Sequence, residues 1–156
     1  MCTIMQKYPM GPTPSQLKLH IRTKHPELYK SLAYIIPSDK MVYVKRLQSC
    51  NKNIYFVVTR LNKKKGHCIV LIIHPNSFEL FDPLGMLTQP DRSTIGFLKR
   101  HKCSINLERI MSLNGKNCSF YCILYCLLRF KYKLDSCNVL KLLIQFDYNV
   151  WSAFHI

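Results

Sequence analysis

Acidic residues are scarce in this chain of 156 residues: 8 Asp and Glu stand against 23 Lys and Arg, which gives a formal net charge of +15. So large an excess of one sign excludes a surface of balanced charge and predicts a polyanionic partner. The basic residues are dispersed along the chain rather than gathered in one tail. This distribution favours non-specific electrostatic contact with a phosphate backbone, so we expect DNA as a partner.

Several other features are missing from the sequence. The longest apolar run, from Phe120 to Leu128, is far too short to span a bilayer. No secretory signal opens the chain, so we expect a protein that is not secreted and eight cysteines that remain reduced. No CxxC pair occurs, which argues against a zinc ribbon or a thioredoxin-type site, and we expect no metal.

The patterning predicts one α+β domain over residues 1–156, with helices flanking a central mixed sheet. An N-terminal helical segment is predicted at residues 1–37, where Pro26 divides an apolar stripe into two helices. Residues 38–156 are predicted to form the core that carries the site. Strands are predicted at residues 41–47, 53–61, 67–74, 77–82 and 103–111, and helices at residues 89–102, 118–131 and 136–146.

Three chemically capable side chains stand at the ends of predicted elements. His67 opens a buried strand, Asp82 ends the next strand, and Cys118 opens a helix after a turn rich in Gly and Asn. A carboxylate beside a histidine fixes the orientation and tautomer of the ring. The positive end of a helix lowers the pKa of a thiol. Together the three residues predict a thiolate–imidazolium pair for acyl transfer, most simply peptide-bond hydrolysis.

The stretches around these residues are GHCIVL at 66–71, FDPLG at 81–85 and SLNGKNCSFYC at 112–122. They resemble the blocks of a clan of cysteine proteases that includes adenovirus protease (adenain) and the SUMO-deconjugating proteases, with the chain order His, Asp or Glu, Cys. The resemblance covers roughly residues 38–150. Three positions depart from the clan's pattern: Cys68 replaces a Trp, Ser119 replaces a Gly, and Ser112 replaces the Gln that donates to the oxyanion.

This resemblance implies a papain-like fold of the adenain type and a cysteine endopeptidase. Cys118 would attack the scissile carbonyl, His67 would transfer the proton, and Asp82 would orient His67. The oxyanion would be held by the Cys118 N–H together with one of three polar side chains: Ser112, Asn114 and Asn117.

The same resemblance implies precursor capsid or core proteins as substrates, cleaved during virion maturation, and a location in the virion and in the host nucleus or cytoplasm. It implies no required cofactor, DNA as an activator, and an activating peptide linked through a cysteine, for which Cys103 is the candidate. Two alternatives stay open: a deconjugating protease for SUMO- or ubiquitin-like tails, and a catalytically degenerate, basic DNA-binding relative.

Other histidines carry weaker signals. His20 and His25 have the spacing of the histidine pair in a two-Cys two-His zinc finger, but the upstream cysteine pair is missing. We therefore interpret them as solvated helix residues. His74 is interpreted as a turn residue that has no carboxylate partner.

Overall fold

The fold is given by a computed structural model that describes residues 3–9, 11–44, 52–62, 65–85, 91–111, 117–153 and 156. Within these residues the strands are β1 (Leu32–Pro37), β2 (Ile54–Asn62), β3 (Lys65–Ile73), β4 (Phe78–Phe81) and β5 (Cys103–Ile105). The α-helices are α1 (Ile4–Lys7), α2 (Pro14–Lys24), α3 (Pro26–Ser31), α4 (Arg92–Arg100), α5 (Cys118–Phe130), α6 (Ser136–Gln145) and α7 (Tyr148–Ser152). A 3₁₀ helix spans Ser38–Tyr43.

The strands form one mixed sheet in the order β1-β2-β3-β4-β5. The two central pairs, β2 with β3 and β3 with β4, are antiparallel, whereas the two outer pairs are parallel. This α+β arrangement of a mixed sheet flanked by helices is the one that the sequence predicts. The predicted central position of β3 is confirmed as well.

Apolar side chains cover both faces of β3, which explains its continuous apolar run. Cys68, Val70 and Ile72 join the larger core cluster, to which α5 contributes most of its buried side chains. The β3 residues between them join the smaller cluster, which also holds Met41 of the 3₁₀ helix and Phe97 of α4; these β3 residues are Ile69, Leu71 and Ile73. The sheet therefore lies between two helical layers.

The N-terminal segment differs from its prediction. The Pro26 break is confirmed, since α2 ends at Lys24 and α3 begins at Pro26. However, residues 32–37 form β1, which pairs with β2, so the expected helical segment at 1–37 ends in a strand. A short apolar run such as LAYII fits a helix or a strand equally well by pattern, and pairing along β2 decides between them.

Two of the predicted strands are also corrected. Residues 41–43 belong to the 3₁₀ helix, and the rest of the strand expected at 41–47 lies largely outside the described residues. The strand expected at 103–111 stops at Ile105. Over the described part of the chain, no helix has the length and apolarity needed to cross a membrane.

Candidate active site

The position of His67 follows from the unequal lengths of two neighbouring strands. β3 pairs with β4 only as far as Val70, opposite Phe81, whereas its pairing with β2 continues past His67. On the side of β3 that faces β4, the stretch around His67 therefore lies next to the turn that follows β4, while its other side stays paired with β2. The His67 side chain is buried there, with 3% of its surface exposed.

Asp82 occupies that turn and meets the His67 ring. Its Oδ1 lies 2.5 Å from His67 Nε2 and also accepts the Leu84 N–H at 2.9 Å. The turn closes with the Gly85 N–H donating to the Asp82 carbonyl at 2.9 Å. Because Nε2 is engaged by the carboxylate, Nδ1 is the ring nitrogen left to meet a further group.

Cys118 is the first residue of α5, where the sequence predicts it. Asn117 forms the N-cap, and Cys118 is a partly exposed residue, unlike the fully buried cysteines one and two turns further along. Burial alone opposes ionisation of the Cys118 thiol. Hydrogen bonding and Coulombic attraction from His67, with backbone N–H groups of Cys68 and Ser119, outweigh it and lower the pKa of Cys118.

The pKa of His67 is shifted in the opposite direction from that of Cys118. Burial on its own lowers the pKa of the imidazole, but hydrogen bonds to Asp82 and Cys118, with Coulombic attraction from both, raise it to about 10. A raised imidazole pKa beside a lowered thiol pKa favours a thiolate–imidazolium pair at neutral pH. The structure therefore brings His67, Asp82 and Cys118 together in one chain of interactions, from a buried carboxylate to a partly exposed cysteine residue.

The three candidate oxyanion side chains are not equally described. Ser112 and Asn114 lie outside the described residues. Asn117 directly precedes Cys118, and its side chain makes no capping hydrogen bond to α5. The first N–H groups of a helix have no acceptor within the helix, so the Cys118 N–H is suitably placed to donate to an oxyanion beside the sulfur.

Asn106 is a buried polar residue at this site that the sequence analysis did not identify. Its side-chain Oδ1 accepts the Asp82 N–H at 2.8 Å, and its Nδ2 donates to the Asp82 carbonyl at 2.6 Å. Only 5% of its surface is exposed. A polar residue just after an alternating strand is a weak signal, and its partner lies 24 positions away.

A second buried polar cluster lies on the α5 side of the sheet around Glu79. Arg129 donates to both Glu79 oxygens, with Nε 2.8 Å from Oε1 and Nη2 2.6 Å from Oε2. The Tyr125 hydroxyl also hydrogen-bonds Oε1, and His74 Nε2 lies 2.7 Å from Oε2. His74 does lie in the turn after β3, where its backbone N–H donates to the Ser77 carbonyl at 2.9 Å, but the expectation that it lacks a carboxylate partner is wrong.

Two further histidines, His20 and His25, lie outside both clusters. His20 is only 2% exposed, so its interpretation as a solvated helix residue is wrong. Burial lowers the pKa values of His20 and His25, and nearby lysines lower both further. Among the residues that the structure describes, no group of three His, Cys, Asp or Glu side chains is placed to hold a metal ion.

Three other described thiols have pKa values shifted in the opposite direction from that of Cys118. Cys122 and Cys126 are fully buried, and burial raises the pKa of each well above its ordinary value. Cys103 lies on the edge strand β5, where burial, with the nearby Glu79 charge, raises its pKa to about 12. This environment disfavours thiolate formation at Cys103, the candidate for linkage to a peptide.

Comparison of the chain with protein-family models and with curated proteins finds no match.

Proposed function

We propose that this chain is a cysteine endopeptidase with a papain-like fold of the adenain type and the catalytic order His67, Asp82, Cys118. The observation that carries the proposal is the contact chain from Asp82 through His67 to Cys118, with its oppositely shifted pKa values. Its members come from the first residues of β3, the turn after β4 and the N-terminus of α5, 51 positions apart at most, and a packing role alone does not require that arrangement.

The reaction follows from the protonation states. The Cys118 thiolate attacks the scissile carbonyl carbon, and the carbonyl oxygen becomes an oxyanion held by the Cys118 N–H and a neighbouring polar side chain. The His67 imidazolium gives its proton to the leaving amine as the peptide C–N bond breaks, which leaves an acyl-enzyme. His67 then takes a proton from water, which hydrolyses the thioester and regenerates the starting pair.

Selective alkylation of Cys118 tests the nucleophile. Iodoacetamide at about pH 7 should modify Cys118 faster than every other thiol, as mapped by mass spectrometry of a time course. The matched control is Cys137→Ser, which removes an exposed thiol and should leave the fast phase intact, whereas Cys118→Ser should remove it. If Cys118 reacts no faster than the other cysteines, it is not an activated nucleophile.

Cleavage of a peptide library tests the reaction class. Peptides from a digested proteome are incubated with the wild-type protein or with Cys118→Ser, and new termini are identified by mass spectrometry. Internal cleavage by the wild-type protein alone supports an endopeptidase, with viral precursor proteins as its proposed substrates in virion maturation. Cleavage confined to SUMO- or ubiquitin-like tails would assign the chain to deconjugation instead.

We propose DNA as a second partner because the net charge is +15 and the cationic residues are spread along the chain. Such binding would concentrate the enzyme on packaged DNA in the virion and in the host nucleus or cytoplasm. Affinity for a random-sequence duplex, measured by fluorescence anisotropy, should fall linearly with salt concentration on logarithmic axes. An affinity that does not change with salt would exclude binding dominated by phosphate contacts.

A further inference from the structure

The Asn106 side-chain amide forms hydrogen bonds with both backbone groups of Asp82. The Asp82 N–H donates to Asn106 Oδ1 and the Asp82 carbonyl accepts from Asn106 Nδ2, at 2.8 and 2.6 Å. A planar amide that satisfies both backbone groups of one residue fixes the plane of that residue's peptide units. In a buried setting, such a pair is costly to break, because either backbone group would lose its partner away from water.

These two hydrogen bonds take the place of strand pairing where the ladder between β4 and β5 ends. β4 and β5 run in parallel only from Phe78 opposite Cys103 to Leu80 opposite Ile105. Beyond Ile105 the two backbones no longer pair, and the Asn106 amide supplies the hydrogen bonds that a continued strand would have made. Asp82 is therefore held in a fixed position even though it lies outside the ladder.

Asn106 also belongs to the segment that leads to the nucleophile loop. Its Nδ2 donates to the Glu108 carbonyl at 3.0 Å, within its own segment. Further along, the N–H groups of Ile110 and Met111 lie 2.8 and 3.1 Å from the Pro83 carbonyl, in the turn after Asp82. The turn at residues 82–85, which we call the acid turn, and the segment at 106–111 thus form one hydrogen-bonded unit. Met111 is only seven positions before Cys118.

We propose that Asn106 is a positioning residue for this site, one that holds Asp82 so that its carboxylate orients His67 toward Cys118. The assignment rests on the proposed function, because an oriented imidazole matters only if it activates the thiol. The hydrogen bonds that the described structure gives the Asn106 side chain go to Asp82 and Glu108, not to the ring or the sulfur. Loss of Asn106 therefore acts through a displaced carboxylate, and displacement by about an ångström can cost on the order of a hundredfold in rate.

The pH profile of Cys118 alkylation separates positioning from general support of the fold. Asn106→Ala should slow alkylation by iodoacetamide at about pH 7 by tenfold or more and shift the inflection of the rate profile upward in pH. The matched control is Asn53→Ala, because the Asn53 amide also bonds a strand carbonyl, that of Ile73 at 3.3 Å, at the other end of β3. This control should leave the profile unchanged.

Each outcome bears on one of the two proposals. Slow labelling of Cys118 in the wild-type protein would refute the proposed nucleophile, whatever the Asn106 variants do. Fast wild-type labelling with an unchanged profile in folded Asn106→Ala would overturn the positioning role. If Asn106→Ala does not fold, as judged by circular dichroism, the same profile is recorded for Asn106→Ser. If neither variant folds, the residue is structural and the positioning role is overturned.

Discussion

Oδ1 of Asp82 accepts two hydrogen bonds, one from His67 Nε2 at 2.5 Å and one from the Leu84 N–H at 2.9 Å. The same oxygen thus shapes the turn and holds the ring. We expect Asp82→Ala to lower the pKa of His67 and to slow iodoacetamide labelling of Cys118 at about pH 7 by tenfold or more. The free energy of unfolding, from urea titration, should fall by about 3 kcal/mol because a buried partner is lost.

The control for this variant is Asp91→Ala. Asp91 caps α4 by accepting the Thr94 N–H at 2.8 Å, on a helix that packs against the other face of the sheet. Loss of this cap, together with the hydrogen bond that the carboxylate accepts from the Ser38 hydroxyl, should cost about 2 kcal/mol of stability and leave the labelling of Cys118 unaltered. Equal labelling rates for Asp82→Ala and the wild-type protein would show that the carboxylate does not act on the thiol through His67.

The pH dependence of the pair follows from the signs of its two shifts. The pKa of His67 rises from 6.5 to about 10 on folding, so the imidazolium stabilises the fold fully below about pH 6.5, and this contribution is lost as the pH rises through about 10. The pKa of Cys118 falls below 9.0 on folding, so the thiolate contribution is lost as the pH falls through the lowered value.

Between these limits the labelling rate of Cys118 should be nearly independent of pH. An unperturbed thiol behaves otherwise, because its rate rises about tenfold per pH unit below its pKa. Initial rates of iodoacetamide labelling from about pH 5 to 9 test this expectation, with Cys118→Ser providing the background from the other thiols. A tenfold rise per unit across neutrality would mean that His67 does not stabilise the thiolate.

Gly85 closes the acid turn against the segment that contains Asn106. Its φ is +69°, and a Cβ at this position would lie 2.6 Å from the carbonyl oxygens of Leu107 and Glu108. Since these contacts are to backbone, the chain itself must move to accept a side chain. We expect Gly85→Ala to lower the free energy of unfolding by on the order of 3 kcal/mol, as measured by urea titration, and to slow Cys118 labelling.

A second glycine separates the clash from the backbone strain. Gly11 also has a positive φ, +89°, but a Cβ there would meet nothing within 4 Å. Gly11→Ala should therefore cost only about 1 kcal/mol, the penalty of the left-handed conformation. Equal losses for the two variants would mean that the packing of the acid turn on residues 107–108 contributes little.

The sequence predicts the parts of this site whose signals are local. β3 stands out as an apolar run between Gly66 and Pro75, and α5 begins where a Gly- and Asn-rich turn meets an apolar stretch. Because His67 lies near the start of β3, Asp82 just after β4 and Cys118 at the start of α5, their convergence follows from the order of the strands and helix. The expected roles of Ser112 and Asn114 fall on residues that the structure does not describe.

The parts that escaped prediction depend on distant partners. Asn106 bonds Asp82, 24 positions away, and Glu79 bonds Arg129, 50 positions away. Neither polar residue interrupts a local pattern in a way that reveals its burial. Likewise, β1 is short and apolar, and only its parallel pairing with β2 distinguishes it from a continuation of α3.

The Glu79–Arg129 pair joins β4 to α5 and thereby fixes the strand that leads to Asp82 relative to the helix that carries Cys118. Glu79 is 5% exposed, so removal of the Arg129 guanidinium leaves a buried carboxylate whose remaining partners are the Tyr125 hydroxyl and His74. Arg129→Met should lower the free energy of unfolding by about 3 kcal/mol or more. Glu79→Gln should lower it by a similar amount, because Arg129 then loses its carboxylate partner. The double variant Glu79→Gln/Arg129→Met should lose less stability than the sum of the two single losses, because neither charge is then left without its partner.

The control is Glu27→Gln, at an exposed ion pair of 3.5 Å with Lys30, which should change stability by under about 0.5 kcal/mol. Urea titration of the four variants measures these losses, and strictly additive effects at Glu79 and Arg129 would contradict a coupled pair.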